Sequence, residues 1–252
     1  MKRGARLGFD HDKRMMHRLQ ALLWDVDGTL ADTEENGHRP AFNAAFQKEG
    51  LDWHWDAQTY RRLLQVSGGR ERIRAWMHEQ DHWPEAANND SEAWIEQLQL
   101  NKQQFYLQRI KQGLIPLRPG IERVLLEAQA AGLRQAVVTT SGRNAVEGLL
   151  ASHQQLQSCF ALMICGEDVS RKKPDPQAYR QALQALGLEG ASALAIEDSP
   201  QGMKAARRAD LAVVITTVDW HGEATDLADA ALVMDHFDSK PTRLADLRDL
   251  LP

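Results

Sequence analysis

The sequence predicts an α/β fold: a doubly wound parallel sheet, Rossmann-like in its core, with an inserted α-helical domain. Three observations predict it. Short apolar runs recur along the chain, amphipathic stretches separate most of them, and one long interval after the first run carries none. Strands buried on both faces read as continuous apolar runs rather than as alternation. Strand and helix in alternation build a parallel sheet with crossover helices.

The runs are "ALLWDV" (21–26), "QAVVTT" (135–140), "FALMIC" (160–165), "ALAIED" (193–198), "AVVIT" (212–216) and "ALVM" (231–234). Between them lie stretches such as "IERVLLEAQAAGL" and "DPQAYRQALQALGL". In the second, Tyr179, Ala182, Leu183 and Leu186 recur at helical spacing. From Glu35 to Ile115 the pattern is helical and rich in Trp, Gln and Arg. Trp53, Trp55, Trp76, Trp83 and Trp94 all fall there and are expected to form a small helical core. "PLRPGI" (116–121) then returns the chain to the sheet, with Pro119 and Gly120 as punctuation before a helix. The expected organisation is an N-terminal extension at 1–18, a catalytic core at 19–34 and 116–252, and a helical insertion at 35–115. The extension, "MKRGARLGFDHDKRMMHR", is basic without an apolar centre. It reads as a disordered segment rather than a secretory signal, with Met15 or Met16 as an alternative start.

Composition bounds the function. The chain has 252 residues and a net charge of −5, which gives no footing for a nucleic-acid backbone. No apolar run approaches the ~20 residues that span a bilayer. Two cysteines, Cys159 and Cys165, cannot staple a chain of this size, so free thiols in a reducing compartment are expected. The expectation is a cytoplasmic monomer whose partner is a small molecule, with no nucleic acid and no membrane.

Ligands of doubly wound sheets sit at the carboxyl ends of the strands. After the first run stand Asp25 and Asp27; the second ends in Thr139, Thr140 and Ser141; Lys172, Lys173 and Pro174 follow the third; Glu197 and Asp198 close the fourth. Acids, hydroxyls and a lysine at four strand ends form one pocket if the fold holds. Each signal has a plainer reading. Asp25-Val26-Asp27-Gly28 could open a calcium loop, but Leu30 and Asn36 stand where an EF-hand needs Gly and Glu. Lys173 lies in a basic run, Thr139 suits a strand for its β-branch, and Glu197-Asp198 could cap a helix starting at Ser199 or Pro200.

"DVDGTLADTE", "VVTTS", "KKPDP" and "AIEDSPQG", in that order, resemble the four motifs of the haloacid dehalogenase superfamily of phosphotransferases. "TEENGHRPAFNAAF", "GLDWHWDAQTYRRLL" and "SGGRERI" resemble the cap of its CbbY-type phosphatases, which hydrolyse xylulose-1,5-bisphosphate. The likeness spans much of residues 20 to 216. It implies Mg²⁺, a hard cation that prefers oxygen, held by Asp25, the main-chain carbonyl of Asp27 and Asp198, with Glu197 in the outer shell. Asp25 is then the nucleophile and Asp27 the acid and base, pointing to the same side if the extended geometry persists. Thr139 is expected to bond the transferring phosphoryl, with Thr140 and Ser141 beside it. Lys173 neutralises its charge and braces Asp25.

In the insertion, Gly68 and Gly69 let a backbone approach a ligand, and Arg70 and Arg72 offer forks for phosphate. Spacing alone favours a helix N-terminus with a solvated basic face. The resemblance instead implies a seat for a second, non-reacting phosphate, with Glu34 and His38 facing the sugar. Trp24 stands where the family carries a smaller Phe, and Arg70 where relatives often have Lys. The last ~35 residues resemble nothing useful. The alternative activity is a sugar phosphomutase of the β-phosphoglucomutase type, which net release of inorganic phosphate would exclude. A phospho-acceptor signalling domain is disfavoured by the ~80-residue insertion after the first strand.

Overall fold

A computed structural model of the protein describes residues 19–66, 68–80, 82–218, 227–239 and 242–251. The expected N-terminal extension lies outside the described residues. Six strands, β1 (Ala21–Trp24), β2 (Arg134–Val138), β3 (Leu162–Ile164), β4 (Ala193–Glu197), β5 (Ala212–Thr216) and β6 (Leu232–Met234), form one parallel sheet. Their order is β3-β2-β1-β4-β5-β6. The chain winds one way from β1 to β3 and the other way from β4 to β6, so the switch point lies between β1 and β4.

The apolar runs become strands because helices cover both faces. All four residues of β1 are buried, and Leu23 pairs in register with Ala136 of β2 and Ala195 of β4. Alternate residues of neighbouring strands, Ala21, Leu23, Ala136, Val138, Ala193, Ala195, Val213 and Ile215, share a core with helices Gln177–Leu186 and Pro200–Arg207. The alanines in that layer let the helices approach closely. On Gln177–Leu186 the buried side includes Tyr179, Ala182, Leu183 and Leu186, the spacing read from the sequence. Three of the runs outlast their strands where a polar residue ends them: β1 stops at Trp24, β2 at Val138 and β4 at Glu197. Trp24 is absorbed without strain, its indole N–H donating to Gln135 Oε1 at 3.0 Å.

By its internal contacts the chain divides into two compact units. The sheet unit takes the chain up to Ala31 and resumes at Leu117; the other is built on Asp32–Pro116. The second contains helices Arg39–Lys48, Ala57–Leu63, Gly69–His78 and Ser91–Lys111. Asp56 and Asp90 start two of them, accepting from the backbone N–H of Thr59 and Ala93. Phe42, Phe46, Trp55 and Tyr60 are fully buried, and Trp55 meets Trp76 edge-on at 6.1 Å. Trp83 departs from the expected tryptophan core. It is 38% exposed and leans edge-on against His78. A five-residue π-turn, Glu34–His38, precedes Arg39–Lys48, a feature no apolar period announces. No helix among the described residues is long and apolar enough to cross a membrane.

Candidate active site

Asp25 is the first residue beyond β1, and its side chain is nearly sealed from solvent. Its backbone N–H donates to Ile196 O of β4, which holds the end of β1 against the switch point. Lys173 reaches the same place from the segment after β3. Its ammonium donates to Asp25 Oδ1 at 2.6 Å, to Val138 O at 2.8 Å and to Glu197 Oε1. An ammonium has three donors, and these bonds use all three. Of the basic run, Arg171 and Lys172 stay exposed and only Lys173 turns inward.

Glu197 is fully buried and accepts a second bond from the Tyr179 hydroxyl. The Lys173 ammonium also lies 5.2 Å from the Tyr179 ring centroid. Burial pushes the Asp25 carboxyl well above its ordinary value; Lys173 pulls it back, while Glu197, Asp198 and Asp27 add to the rise. Glu197 is raised as well, by burial first and against the pull of Lys173. For Lys173, burial would lower the ammonium, but Asp25 and Glu197 outweigh it and the pKa is raised. That pattern follows when one cation serves several carboxylates: it stays charged, and they compete for it.

β1 ends at Trp24, and Asp27 lies beyond it in an isolated bridge with Ala31. The chain turns at residues 28–30, where Val26 O accepts from the N–H groups of Thr29, Leu30 and Ala31. The Asp27 carboxylate nonetheless faces the second strand's end, where Ser141 Oγ donates to its Oδ2. Ser141 N–H in turn donates to Thr139 Oγ1 at 3.1 Å. Thr139 is buried and Thr140 exposed. Gly28 needs its glycine: φ is +76°, and a Cβ there would stand 2.2 Å from Asp198 Oδ2. The capping role offered for Glu197-Asp198 belongs instead to Ser199, whose Oγ accepts from Gly202 N–H. Both acids are thereby left to the pocket.

In the helical unit, Glu34 Oε2 accepts from the Tyr60 hydroxyl at 2.6 Å. Arg72 is spent largely inside its own unit. It donates to Leu63 O, Val66 O and the Tyr60 oxygen, and its guanidinium lies 5.4 Å from the Tyr60 ring centroid. Arg70 is exposed at the start of Gly69–His78, which Gly68 caps with φ +96°. His38 Nδ1 meets the Lys102 ammonium at 2.8 Å, and its ring stacks on Tyr106. Reading the sequence missed Tyr179, Tyr60 and Lys102 as polar partners. Tyr179 was visible only as one apolar position in a helical stripe.

A family model described as haloacid dehalogenase-like hydrolase matches residues 19–210. The chain belongs to that family. It is 42% identical over 221 residues to the plasmid-borne protein CbbY of Cupriavidus necator, covering 86% of this chain and 85% of that one. It is also 42% identical to CbbY of Rhodobacter capsulatus over 204 residues, 80% and 87% of the two chains. CbbY of Rhodobacter sphaeroides, solved in complex with phosphate, superposes with a TM-score of 0.76 at 36% identity, over 91% of this chain and 99% of that one. A mutant of the same protein, solved with xylulose-1,5-bisphosphate, gives 0.75 at the same identity and coverage. The protein is thus a phosphatase of the haloacid dehalogenase-like hydrolases.

Asp25, Glu197 and Asp198 each offer a carboxylate oxygen, all within 4.8 Å of one another. A hard divalent cation suits such a donor set, and Mg²⁺ takes oxygen ligands of this kind. Glu197 Oε1 is already committed to Lys173 and Tyr179. Asp25 and Asp198 are the better placed to hold a metal directly, with Glu197 behind them.

Proposed function

We propose that the protein hydrolyses a sugar phosphate with Mg²⁺ through an aspartyl-phosphate on Asp25, and that its substrate is a pentulose bisphosphate such as xylulose-1,5-bisphosphate. The observation that carries the reading is the Asp25–Lys173–Glu197 cluster at the switch point of the sheet. A carboxylate is a weak nucleophile toward an anion. Here Lys173 takes Oδ1 and fixes the rotamer, leaving Oδ2 to attack in line.

In the first step Asp25 Oδ2 bonds to phosphorus, the bond from phosphorus to the sugar oxygen breaks, and Asp27 gives its proton to that oxygen. In the second, water attacks phosphorus, Asp27 takes its proton, and the bond to Asp25 breaks to release phosphate. Ser141 orients the Asp27 carboxyl for both transfers. Thr139, its Oγ1 held by Ser141 N–H, has a hydroxyl proton to donate to a phosphoryl oxygen. Bound Mg²⁺ would be held by Asp25, the Asp27 carbonyl and Asp198, and would supply positive charge for the phosphoryl oxygens.

Substrate choice falls to the helical unit, read as a cap. Backbone N–H groups at the start of Gly69–His78 and the exposed Arg70 form a seat for a second phosphate. Arg72 supports it by fixing Tyr60 and, through it, Glu34. The xylulose-1,5-bisphosphate complex of the Rhodobacter sphaeroides relative supports the choice of sugar.

The test is phosphate release from xylulose-1,5-bisphosphate and from xylulose monophosphates. Asp25→Asn should abolish turnover in a protein that still folds. Losing one charge-assisted bond of roughly 1.5–3 kcal/mol, at 1.4 kcal/mol per decade, predicts that Arg70→Ala lowers kcat/KM about 10- to 150-fold for the bisphosphate and far less for a monophosphate. Isomerised product without phosphate release would convert the reading to a mutase. A wild-type preference for monophosphates would remove the second-phosphate seat.

A further inference from the structure

We propose that Arg118 is a positioning residue for the catalytic turn and for the metal affinity of the site. The proposal rests on the reading of Asp25, Asp27 and Asp198 given above. Arg118 opens "RPG", just beyond the bridge between Ala31 and Leu117, and its backbone N–H donates to Leu30 O at 2.9 Å. Its guanidinium is half-buried and gathers main-chain carbonyls from three strand ends. Nη1 donates to Gly28 O at 2.5 Å, to Thr216 O at 3.2 Å and to Thr216 Oγ1 at 2.9 Å. Nη2 donates to Thr217 O at 2.7 Å and to Asp235 O at 2.6 Å.

These acceptors lie at or beyond the ends of β1, β5 and β6. Carbonyls at strand ends have run out of ladder partners and need a donor. A planar fork serves several in fixed directions, which a lysine ammonium cannot reproduce.

Two of the acceptors connect Arg118 to the site. Gly28 follows Asp27, and its Cα packs so closely on Asp198 that a Cβ would stand 2.2 Å from Oδ2. Fixing the Gly28 carbonyl therefore fixes the peptide that follows Gly28, and with it the position of the Gly28 Cα against Asp198. Thr216 accepts from Arg118 through Oγ1, and the same hydroxyl lies 3.4 Å from Glu197 O, to which it donates. One guanidinium thus holds the turn after β1 directly and the end of β4 at one remove. Those two pieces of backbone bring Asp25 and Asp198 together.

The test uses the full chain as Arg118→Met, Arg118→Lys and Arg118→Ala. Its first readout is the Mg²⁺ dissociation constant by isothermal titration calorimetry, with no substrate present. Partners behind metal ligands typically govern affinity by about 10- to 100-fold. Arg118→Met should weaken Mg²⁺ by a factor in that range and lower kcat at saturating Mg²⁺, with KM little changed. Arg118→Lys should fall between. Guanidinium added to Arg118→Ala should recover Mg²⁺ affinity where ammonium at the same concentration does not, and this arm serves if Arg118→Met fails to fold. Wild-type Mg²⁺ affinity in a folded Arg118→Met protein, or no recovery by guanidinium, overturns the proposal. If wild type binds Mg²⁺ but releases no phosphate from any sugar phosphate, the proposed function fails, while the affinity comparison still decides the role of Arg118.

Discussion

Replacing Lys173 by Met should be the most costly single change in the sheet unit. The side chain is 6% exposed, and its ammonium supplies three hydrogen bonds, two of them to the carboxylates of Asp25 and Glu197. Methionine matches the stem but leaves two acids facing each other without their cation. Removing one partner of a buried ion pair costs about 3–5 kcal/mol. For a chain of this size each kcal/mol moves Tm by roughly 2–4 °C, so a fall of about 6–20 °C is expected near neutral pH. Because the penalty is charge left unpaired, Glu197→Gln should relieve part of it. The double variant Lys173→Met/Glu197→Gln should then be more stable than the sum of the singles by roughly 0.5–3 kcal/mol, the range seen for coupled neighbours. Calorimetry on the four proteins, without Mg²⁺, measures the cycle. Strict additivity, or a Lys173→Met protein melting with wild type, would refute the account of the cluster.

Gly28→Ala forces a Cβ into Asp198 and an L-residue into φ +76°, so Mg²⁺ affinity and phosphate release should both fall, which titration and a phosphate assay will read. The raised carboxyls of Asp25 and Glu197 give stability that is complete below about pH 4, their unfolded range, and is lost as pH rises through the folded values. The Tm of chelated wild type should therefore fall from acid to neutral pH relative to Asp25→Asn, and Mg²⁺ should reverse the fall; parallel curves would contradict this. Ser199→Ala removes the cap of Pro200–Arg207 and should cost about 1 kcal/mol in urea unfolding.

The six strands were legible because burial on both faces leaves an unbroken apolar run, and "AVVIT" matches β5 to the residue. Where the reading overshot, hydrophobicity reported burial rather than pairing. Val26 is buried although β1 has ended, and its carbonyl closes the turn that follows Asp27. The π-turn at Glu34–His38 was not legible. It depends on Gly37, where a Cβ would stand 2.7 Å from Tyr106, a residue of Ser91–Lys111. Arg118 and Tyr179 escaped for the same physical reason. Their hydrogen bonds join segments 90 and 18 residues apart. An arginine before Pro-Gly, or a tyrosine in an apolar stripe, looks like ordinary surface or ordinary core.

The acids themselves were legible because their cost is legible. A carboxylate at the end of a buried strand must find a partner or a cation. For Glu197 the structure supplies Lys173 and Tyr179, and a purely structural site could stop there. Asp25 draws on the same ammonium, and Asp198 brings a further carboxylate oxygen within 4.8 Å. One lysine serves both Asp25 and Glu197; burial first, and the neighbouring carboxylates after it, push both acids up against its pull. A cluster built only for stability gains from balance, and replacing it with apolar side chains would serve the fold as well. A site that must admit a divalent cation, and then a phosphate dianion opposite an attacking carboxylate, needs its negative charge in surplus before either arrives. The imbalance at the end of β1 is therefore better explained by chemistry than by folding.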